Sequence, residues 1–308
     1  MPCYYPLTAW KSREPDAFNP VTKKLGMTFD KTKGYPNTET KLACGQCVGC
    51  RLDRSRQWAI RCMHEASLHP NNCFITLTYS DDHLPTGGSL DKRHFVLFMK
   101  RLRKKFGDGI RFFHCGEYGG LLGRPHHHAC LFNFTFPDKV VYCRLRSLRN
   151  NDNPGYLYGS DILAILWPYG FSTIGDVTFE SAAYVARYVM KKITGDKAEE
   201  HYAGREPEYI TMSRRPGIGR RFYEQYKDDL YNHDQCVVRH NFILKPPKYY
   251  DNLFDITDAD RLLELKRRRK AKAMSSQDNT PERLAVRERV KKLKIQKLIR
   301  SFETNTPT

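Results

Sequence analysis

Arg124-Pro125-His126-His127-His128-Ala129-Cys130-Leu131-Phe132 decides how this chain is read. Histidines that lead into an apolar run describe an extended strand entering a core, with the imidazoles at its mouth. Successive side chains of a strand point to opposite faces, so His126 and His128 share one face and His127 takes the other. Two imidazoles on one face can hold one cation. Upstream, Ile110 to Tyr118 reads as a second strand, and Gly119-Gly120-Leu121-Leu122-Gly123 is short enough to close a tight hairpin between the two. With the turn centred between Leu121 and Leu122, Glu117 faces His126 and Cys115 faces His128. A carboxylate then joins the imidazoles in a mixed oxygen and nitrogen set suited to Mg²⁺ or Mn²⁺, which zinc would also bind.

About sixty residues downstream of these histidines, Tyr184-Val185-Ala186-Arg187-Tyr188-Val189-Met190-Lys191-Lys192 has helical spacing. Residues four apart lie on one helix face, which brings Tyr184 and Tyr188 together, and Lys191 falls between them in azimuth. An aromatic stripe packed on a sheet is the plainer reading of such a pair. Here Ala182, Val185, Ala186, Val189 and Ile193 already supply an apolar flank, leaving the phenols on the side of the cations. A phenol is about one thousandth ionised at neutral pH, and a nearby ammonium raises that share.

The surrounding elements suggest an α+β fold. Asn72 to Tyr79 is a β-branched, aromatic strand, and Phe95, Phe98, Met99, Leu102 and Phe106 repeat at helical spacing behind a Ser89 cap. A short helix is expected near 161–166, a fourth strand over 172–179 and the tyrosine helix over 181–193. The order β-α-β-β-(α)-β-α fits an antiparallel sheet with helices on one side. Residues 1–43 read as an irregular arm, and Leu52, Ala59, Ile60, Met63 and Ala66 as a helix with a basic outer face. Residues 205–245 read as Arg- and Tyr-rich loops and short elements, 251–260 as an acidic linker, and 281–302 as a basic amphipathic helix opened by Thr280-Pro281-Glu282. Four regions result: 1–68 with the arm, a cysteine cluster and the basic helix; 69–200, the core; 201–250, a basic extension; and 251–308, the linker and tail.

The formal net charge is +18 over 308 residues, and 261–300 alone holds 15 lysines and arginines against 4 acids. Such a balance calls for a polyanion, either nucleic acid or an anionic membrane surface. No apolar run is long enough to span a bilayer, and the start lacks the order of a signal peptide, so the chain is expected to stay in a cytoplasm. Ten cysteines are too few for a disulfide scaffold of this length. Cys44, Cys47 and Cys50 can place three thiolates on one metal, and structural zinc wants a fourth ligand, from Cys62, His64 or Cys3. Arg54 stands where an iron–sulfur pattern would need a cysteine.

Phe74 to Tyr79, Cys115-Gly116-Glu117-Tyr118-Gly119, Arg124 to Phe132 and Tyr184 to Lys192 resemble, in that order, the motifs of the HUH endonucleases that start rolling-circle replication in small single-stranded DNA phages. Cys44 to Leu52 and Arg215-Pro216-Gly217-Ile218-Gly219 resemble the gokushovirus branch of the microviruses in particular. The resemblance runs from about residue 44 to 220. It implies a ferredoxin/RRM-like antiparallel core with the tyrosine helix packed across it, and Mg²⁺ or Mn²⁺ held by His126, His128 and Glu117. It also implies that Tyr184 and Tyr188, beside Lys191, cut one strand and become joined to its 5′ phosphate. The activity implied is nicking and strand transfer on single-stranded or supercoiled origin DNA in the host bacterial cytoplasm, with host helicase and replication proteins as partners and no membrane. Arg187, Lys192, Arg214, Arg215, Arg220 and Arg221, with the basic tail, are the expected DNA contacts. His127 departs from the family pattern, which carries a bulky hydrophobic or aromatic residue there. A single-strand transposase or relaxase would use the same constellation, and a zinc-containing nucleic-acid-binding protein would use the histidines and tyrosines structurally.

Overall fold

A computed structural model of the chain describes residues 3–19, 24–120, 122–144, 155–187, 197–239 and 242–296. Two compact units emerge among the described residues: 3–54 together with 248–296, and Ser55–Pro247. In the first, the expected irregular arm is sheet instead: β1 (Leu7–Lys11), β2 (Phe18–Asn19), β3 (Lys24–Leu25), β4 (Met27–Thr28) and β5 (Thr40–Leu42). The strand β1 pairs antiparallel with both β4 and β5, and β2 with β3. Pieces of two to five residues are too short for alternation to register in sequence. The helix α1 (Val48–Ala66) follows as its apolar spacing requires.

The second unit is built on β6 (Asn72–Tyr79), α2 (Lys92–Phe106), β7 (Arg111–Tyr118), β8 (Pro125–Phe132), β9 (Val140–Arg144), β10 (Tyr156–Gly159), α3 (Asp161–Leu166), β11 (Gly170–Gly175), α4 (Phe179–Arg187), α5 (Lys197–Tyr202), β12 (Tyr209–Met212), α6 (Arg220–His233), β13 (Cys236–Arg239) and β14 (Phe242–Leu244). Seven of its strands form one sheet in the order β12-β7-β8-β6-β11-β10-β9, and every pairing in it is antiparallel. The histidine strand β8 sits between β7 and β6, inside the sheet.

Helices cover both faces, where one was expected. The reason lies in β6 and β8, which are apolar at both parities. Ile75, Leu77, Ala129 and Leu131 pack against Phe95, Phe98, Met99 and Leu102 of α2 and Leu163 and Leu166 of α3. Phe74, Cys130 and Phe132 pack on the other side against Ala59 and Cys62 of α1 and Ala182 to Ala186 of α4. A sheet apolar on both faces must be covered on both. The cap of α2 is Asp91, whose carboxylate accepts from the Arg93 N–H, while Ser89 accepts from the Glu206 N–H. The fourth sequence-expected strand ends early, at Gly175, because Thr178 and Ser181 close a reciprocal cap. The Ser181 N–H donates to Thr178 Oγ1 at 3.1 Å and the Thr178 N–H to Ser181 Oγ at 2.8 Å.

Residues 205–245 hold short strands, as expected, and are more regular than expected: β12 extends the sheet beyond β7, and the long helix α6 buries Tyr223, Leu230 and Tyr231. Tyrosines doing the packing made this stretch look polar. In the first unit the expected linker is helix α7 (Lys248–Thr257), followed by α8 (Ala259–Met274) and α9 (Pro281–Gln296). The acid that suggested a linker, Asp251, is buried and accepts from both Arg269 Nη atoms of α8, at 2.7 and 3.2 Å. The basic region is therefore two helices where one was expected. Among the described residues no helix is long and apolar enough to cross a membrane.

Candidate functional site

The hairpin register places Glu117 opposite His126 and Cys115 opposite His128, as the sequence suggests. The Nε2 atoms of His126 and His128 each lie 2.9 Å from the same oxygen, Glu117 Oε1. Their rings stand edge to face with centroids 4.9 Å apart. Both outer nitrogens are engaged: His126 Nδ1 lies 3.0 Å from the Arg124 carbonyl and His128 Nδ1 3.0 Å from Thr76 Oγ1. The Arg124 carbonyl can only accept, so it puts the His126 proton on Nδ1 and leaves the Nε2 lone pair for a cation; the Thr76 hydroxyl is able to accept from His128 Nδ1–H in the same way. Thr76 was not singled out in sequence, although it pairs with His128 on the neighbouring strand. Glu117 is fully buried. Burial would raise its carboxyl, but the charge of His126 and hydrogen bonds from both histidines outweigh this and hold it at about 2. An ionised, desolvated carboxylate with two imidazoles on it fits a cation by donor chemistry, and the three ligand atoms lie within 4.8 Å of one another.

On the opposite face His127 is buried at 0% exposure, in a polar chain the sequence does not announce. Tyr79 Oη lies 3.0 Å from His127 Nε2 and 2.9 Å from His94 Nδ1. His127 Nδ1 lies 3.2 Å from His114 Nε2, and His114 Nδ1 2.8 Å from Thr211 Oγ1. Burial pushes both imidazoles down, His127 to about 3 and His114 well below its ordinary range, with the neighbouring histidines adding to it. His127 therefore occupies the core slot in neutral form.

Tyr184 is placed by α4, which contacts β8 and β7 and receives the Ser55 hydroxyl on its Ala183 carbonyl at 2.9 Å. Its ring meets His128 edge to face at 5.0 Å, and it is buried with Ala182, Ala183, Val185 and Ala186. It thus touches the aliphatic flank and the imidazole site together. Tyr188, Lys191 and Lys192 lie outside the described residues, as does the Arg187 side chain.

The cysteines gather in the first unit. Cys3, Cys44, Cys47 and Cys50 bring four Sγ atoms within 4.8 Å of one another. Cys62, set beside the cluster by sequence, lies elsewhere. It is fully buried among Phe74, Cys115 and Cys130, where burial pushes its thiol up. Twelve residues along one helix separate it from Cys50 by about 18 Å. His64 is likewise engaged, stacking on Phe222 at 3.8 Å with Nε2 3.1 Å from the Val237 carbonyl. The fourth sulfur is Cys3, which accepts from the Cys44 N–H at 3.3 Å. Cys44 Sγ accepts from the Cys47 N–H at 3.3 Å, and Cys47 Sγ from the Tyr4 N–H at 3.4 Å. Burial would raise the Cys47 thiol, but these and neighbouring hydrogen bonds bring it to about 7. The turn needs Gly45, which holds a left-handed φ of 77°.

Arg214, Arg215, Arg220 and Arg221 are all exposed around a loop that the protein grips from below. Glu65, fully buried, accepts from the Gly219 N–H at 2.6 Å and pairs with Arg111, whose Nη2 donates to the Pro216 carbonyl at 2.7 Å. Arg61 Nε donates to the Ile218 carbonyl at 3.0 Å.

An antiparallel α+β protein with a His-Glu-His group that could hold a cation, set against a helical tyrosine, is the class that this geometry defines. A family model described as replication-associated protein ORF2/G2P matches residues 72–193, which hold both the histidines and the tyrosines. The chain is 33% identical over 237 residues to the replication-associated protein ORF2 of Spiroplasma virus 4, covering 72% of this chain and 70% of that one. It is 32% identical to the replication-associated protein VP4 of Bdellovibrio phage phiMH2K, covering 72% and 70%, and 30% identical to the replication-associated protein ORF4 of Chlamydia phage 1, covering 73% and 57%. The chain belongs to the replication-associated proteins of the microvirus type. No solved structure matches it significantly.

Proposed function

We propose that this protein is an HUH-type endonuclease and strand transferase that nicks and rejoins one strand of phage origin DNA to start and end rolling-circle replication. The observation that carries the reading is the convergence of His126 Nε2 and His128 Nε2 on one buried, ionised Glu117 oxygen with the Tyr184 ring against His128. A divalent cation such as Mn²⁺ or Mg²⁺, when bound there, would polarise the scissile phosphate and offset its charge. Glu117, His126 and His128 hold it, while Arg124 and Thr76 orient the imidazoles. The tyrosine oxygen attacks phosphorus in line and loses its proton, the P–O3′ bond breaks, and the departing 3′ oxygen takes up a proton. The bond energy is kept in a 5′-phosphotyrosine, so rejoining needs no nucleotide triphosphate. Tyr188, four residues after Tyr184 in the sequence, would provide the second attack that releases the displaced circle, with Lys191 stabilising the phenolate.

On this reading residues 69–200 hold a ferredoxin-like endonuclease core. Cys3, Cys44, Cys47 and Cys50 bind one structural zinc: four sulfurs supported by backbone N–H donors suit that ion. The arginines at 214, 215, 220 and 221, Arg187 and Lys192, and the basic C-terminal helices supply phosphate contacts, and host helicase acts beside the chain in the bacterial cytoplasm. Incubation with supercoiled plasmid carrying the phage origin tests the function. Site-specific nicking with Mn²⁺ or Mg²⁺, abolished by chelator and by His128→Ala, is expected. Undiminished nicking in excess chelator, or none with any divalent cation, would overturn it.

A further inference from the structure

Two rows of side chains cross the large sheet at the histidines. In one, Glu117 pairs with His126, His126 with Thr78, and Thr78 with Phe171. In the next, Cys115 pairs with His128, His128 with Thr76, and Thr76 with Thr173. Residues directly opposite in an antiparallel ladder share a face, so Phe171 stands on the same face as the carboxylate and the two imidazoles. Neighbouring strands lie about 4.8 Å apart, which puts the Phe171 backbone about 10 Å from that of His126 along the row.

Exposure rises along that row. Glu117 is fully buried, His126 and Thr78 are half-buried, and Phe171 is 69% exposed. A row beyond Thr76, Phe74 begins the apolar cluster sealed by α1 and α4. Among the described residues the face is therefore closed on one side of the histidines and open on the other. The open side carries the half-buried Thr76, Thr78 and Thr173 and, at its far end, one large aromatic ring in water. Phe171 joins neither apolar cluster of the sheet. Its ring contributes little to packing, and it stands at a fixed distance from the candidate cation site.

We propose that Phe171 is a base-stacking platform, holding one unpaired nucleotide of a single strand whose phosphate is engaged at Glu117, His126 and His128. This rests on the reading above that the site acts on single-stranded DNA. A nucleobase offers a flat π face that stacks on an aromatic ring only when it is not already stacked in a duplex, so the ring selects single strands. Threonine hydroxyls between ring and histidines are of the kind that contact phosphate and sugar oxygens. The ladder fixes the separation of ring and cation site, so the platform sets which nucleotide, counted from the engaged phosphate, is gripped.

The test is binding of the full chain to a fluorescent single-stranded oligonucleotide of about 16 nucleotides that lacks the origin sequence, read by anisotropy with Mn²⁺ present, so that the site can hold its cation and site-specific cleavage plays no part. Phe171→Ala should weaken binding by about 5- to 150-fold, the range measured for loss of one stacked base. Phe171→Trp should restore it, and neither change should alter binding to the same sequence as duplex. A 2-aminopurine base walked along the strand should be quenched at one position by the wild type and lose that quenching in Phe171→Ala. Unchanged single-strand affinity in Phe171→Ala, an equal loss on duplex, or no single-strand binding by the wild type would overturn the proposal. Wild type that binds and quenches in this way but nicks with no divalent cation would sink the endonuclease reading and leave the platform standing. Normal nicking with unchanged Phe171→Ala binding would sink the platform alone. Equal melting temperatures of wild type and variants check that the exposed side chain carries no fold.

Discussion

Replacing His127 with alanine separates the two faces of the histidine strand. The side chain is completely buried, edge-on to Trp167 at 5.6 Å, and bonded to Tyr79 and His114. Truncating a buried ring of this size costs about 2–5 kcal/mol through lost packing and the cavity left behind. Two buried polar partners also lose a bond, at about 1–3 kcal/mol for a group left wholly unsatisfied. Here the second cost is reduced, because Tyr79 keeps His94 and His114 keeps Thr211. A loss near 4 kcal/mol follows, which for a unit of this size lowers the melting temperature by about 10 °C. Metal affinity should hardly change, since the ring points away from Glu117. His126→Ala, at the half-buried end of the site, should do the reverse, melting close to wild type and losing Mn²⁺ affinity by more than about 100-fold, whereas His128→Ala, at 1% exposure, should lose both affinity and stability. Calorimetric titration with Mn²⁺ and thermal melts of the three variants decide it. If His127→Ala loses metal affinity as His126→Ala does while melting like wild type, the pleat is inverted and the site is wrongly built.

Elemental analysis of protein purified without added metal should find about one zinc per chain, and Cys3→Ser should lose it where Cys62→Ser does not; zinc retained in Cys3→Ser would show that the fourth ligand is another group. Changing the exposed Lys266, Arg267, Lys270 and Lys272 of α8 to glutamine should flatten the log–log salt dependence of single-strand binding by about 0.7 per lost phosphate contact, and an unchanged slope would assign that helix another partner. The depressed imidazoles of His114 and His127 make stability depend on pH. Unfolded histidines bind protons near pH 6.5 and these folded ones do not, so stability is full above that pH and falls as the pH drops from 6.5 toward 3. Between pH 7 and 5 the two together should cost about 4 kcal/mol, visible as a lower urea midpoint. Glu117, held low, adds little slope above about pH 5 and a further loss of the same sign below it, where its unfolded carboxyl takes up a proton that the folded one does not. A flat profile would mean that these imidazoles are not held neutral.

What could be read from sequence was what depends on neighbours in the chain. The alternation of β8 and the length of its hairpin were enough to set Glu117 opposite His126. The spacing of α1 and α2 was enough to give two helices. What could not be read depends on contacts between distant segments. Cys3 reaches Cys44 across 41 residues, and no spacing rule encodes such a closure. Asp251 looked like part of a solvated linker because its partner, Arg269, lies on the next helix. Thr76 and Phe171 became visible beside the histidines only once β6 and β11 were known to lie next to β8 in that order. His127 departs from the hydrophobic pattern that its resemblance implies, yet it is buried like a hydrophobic residue, because Tyr79 and His114 supply the partners a neutral imidazole needs.

Peptide mapping of the covalent adduct with origin single strand is the most direct test that a tyrosine attacks at the Glu117, His126 and His128 site. With Mn²⁺ present, the DNA-linked peptides should carry the 5′ phosphate on Tyr184 and on Tyr188, and chelator or His128→Ala should remove both. No covalent adduct from a protein that nicks the origin, or an adduct on any other residue, would contradict the mechanism.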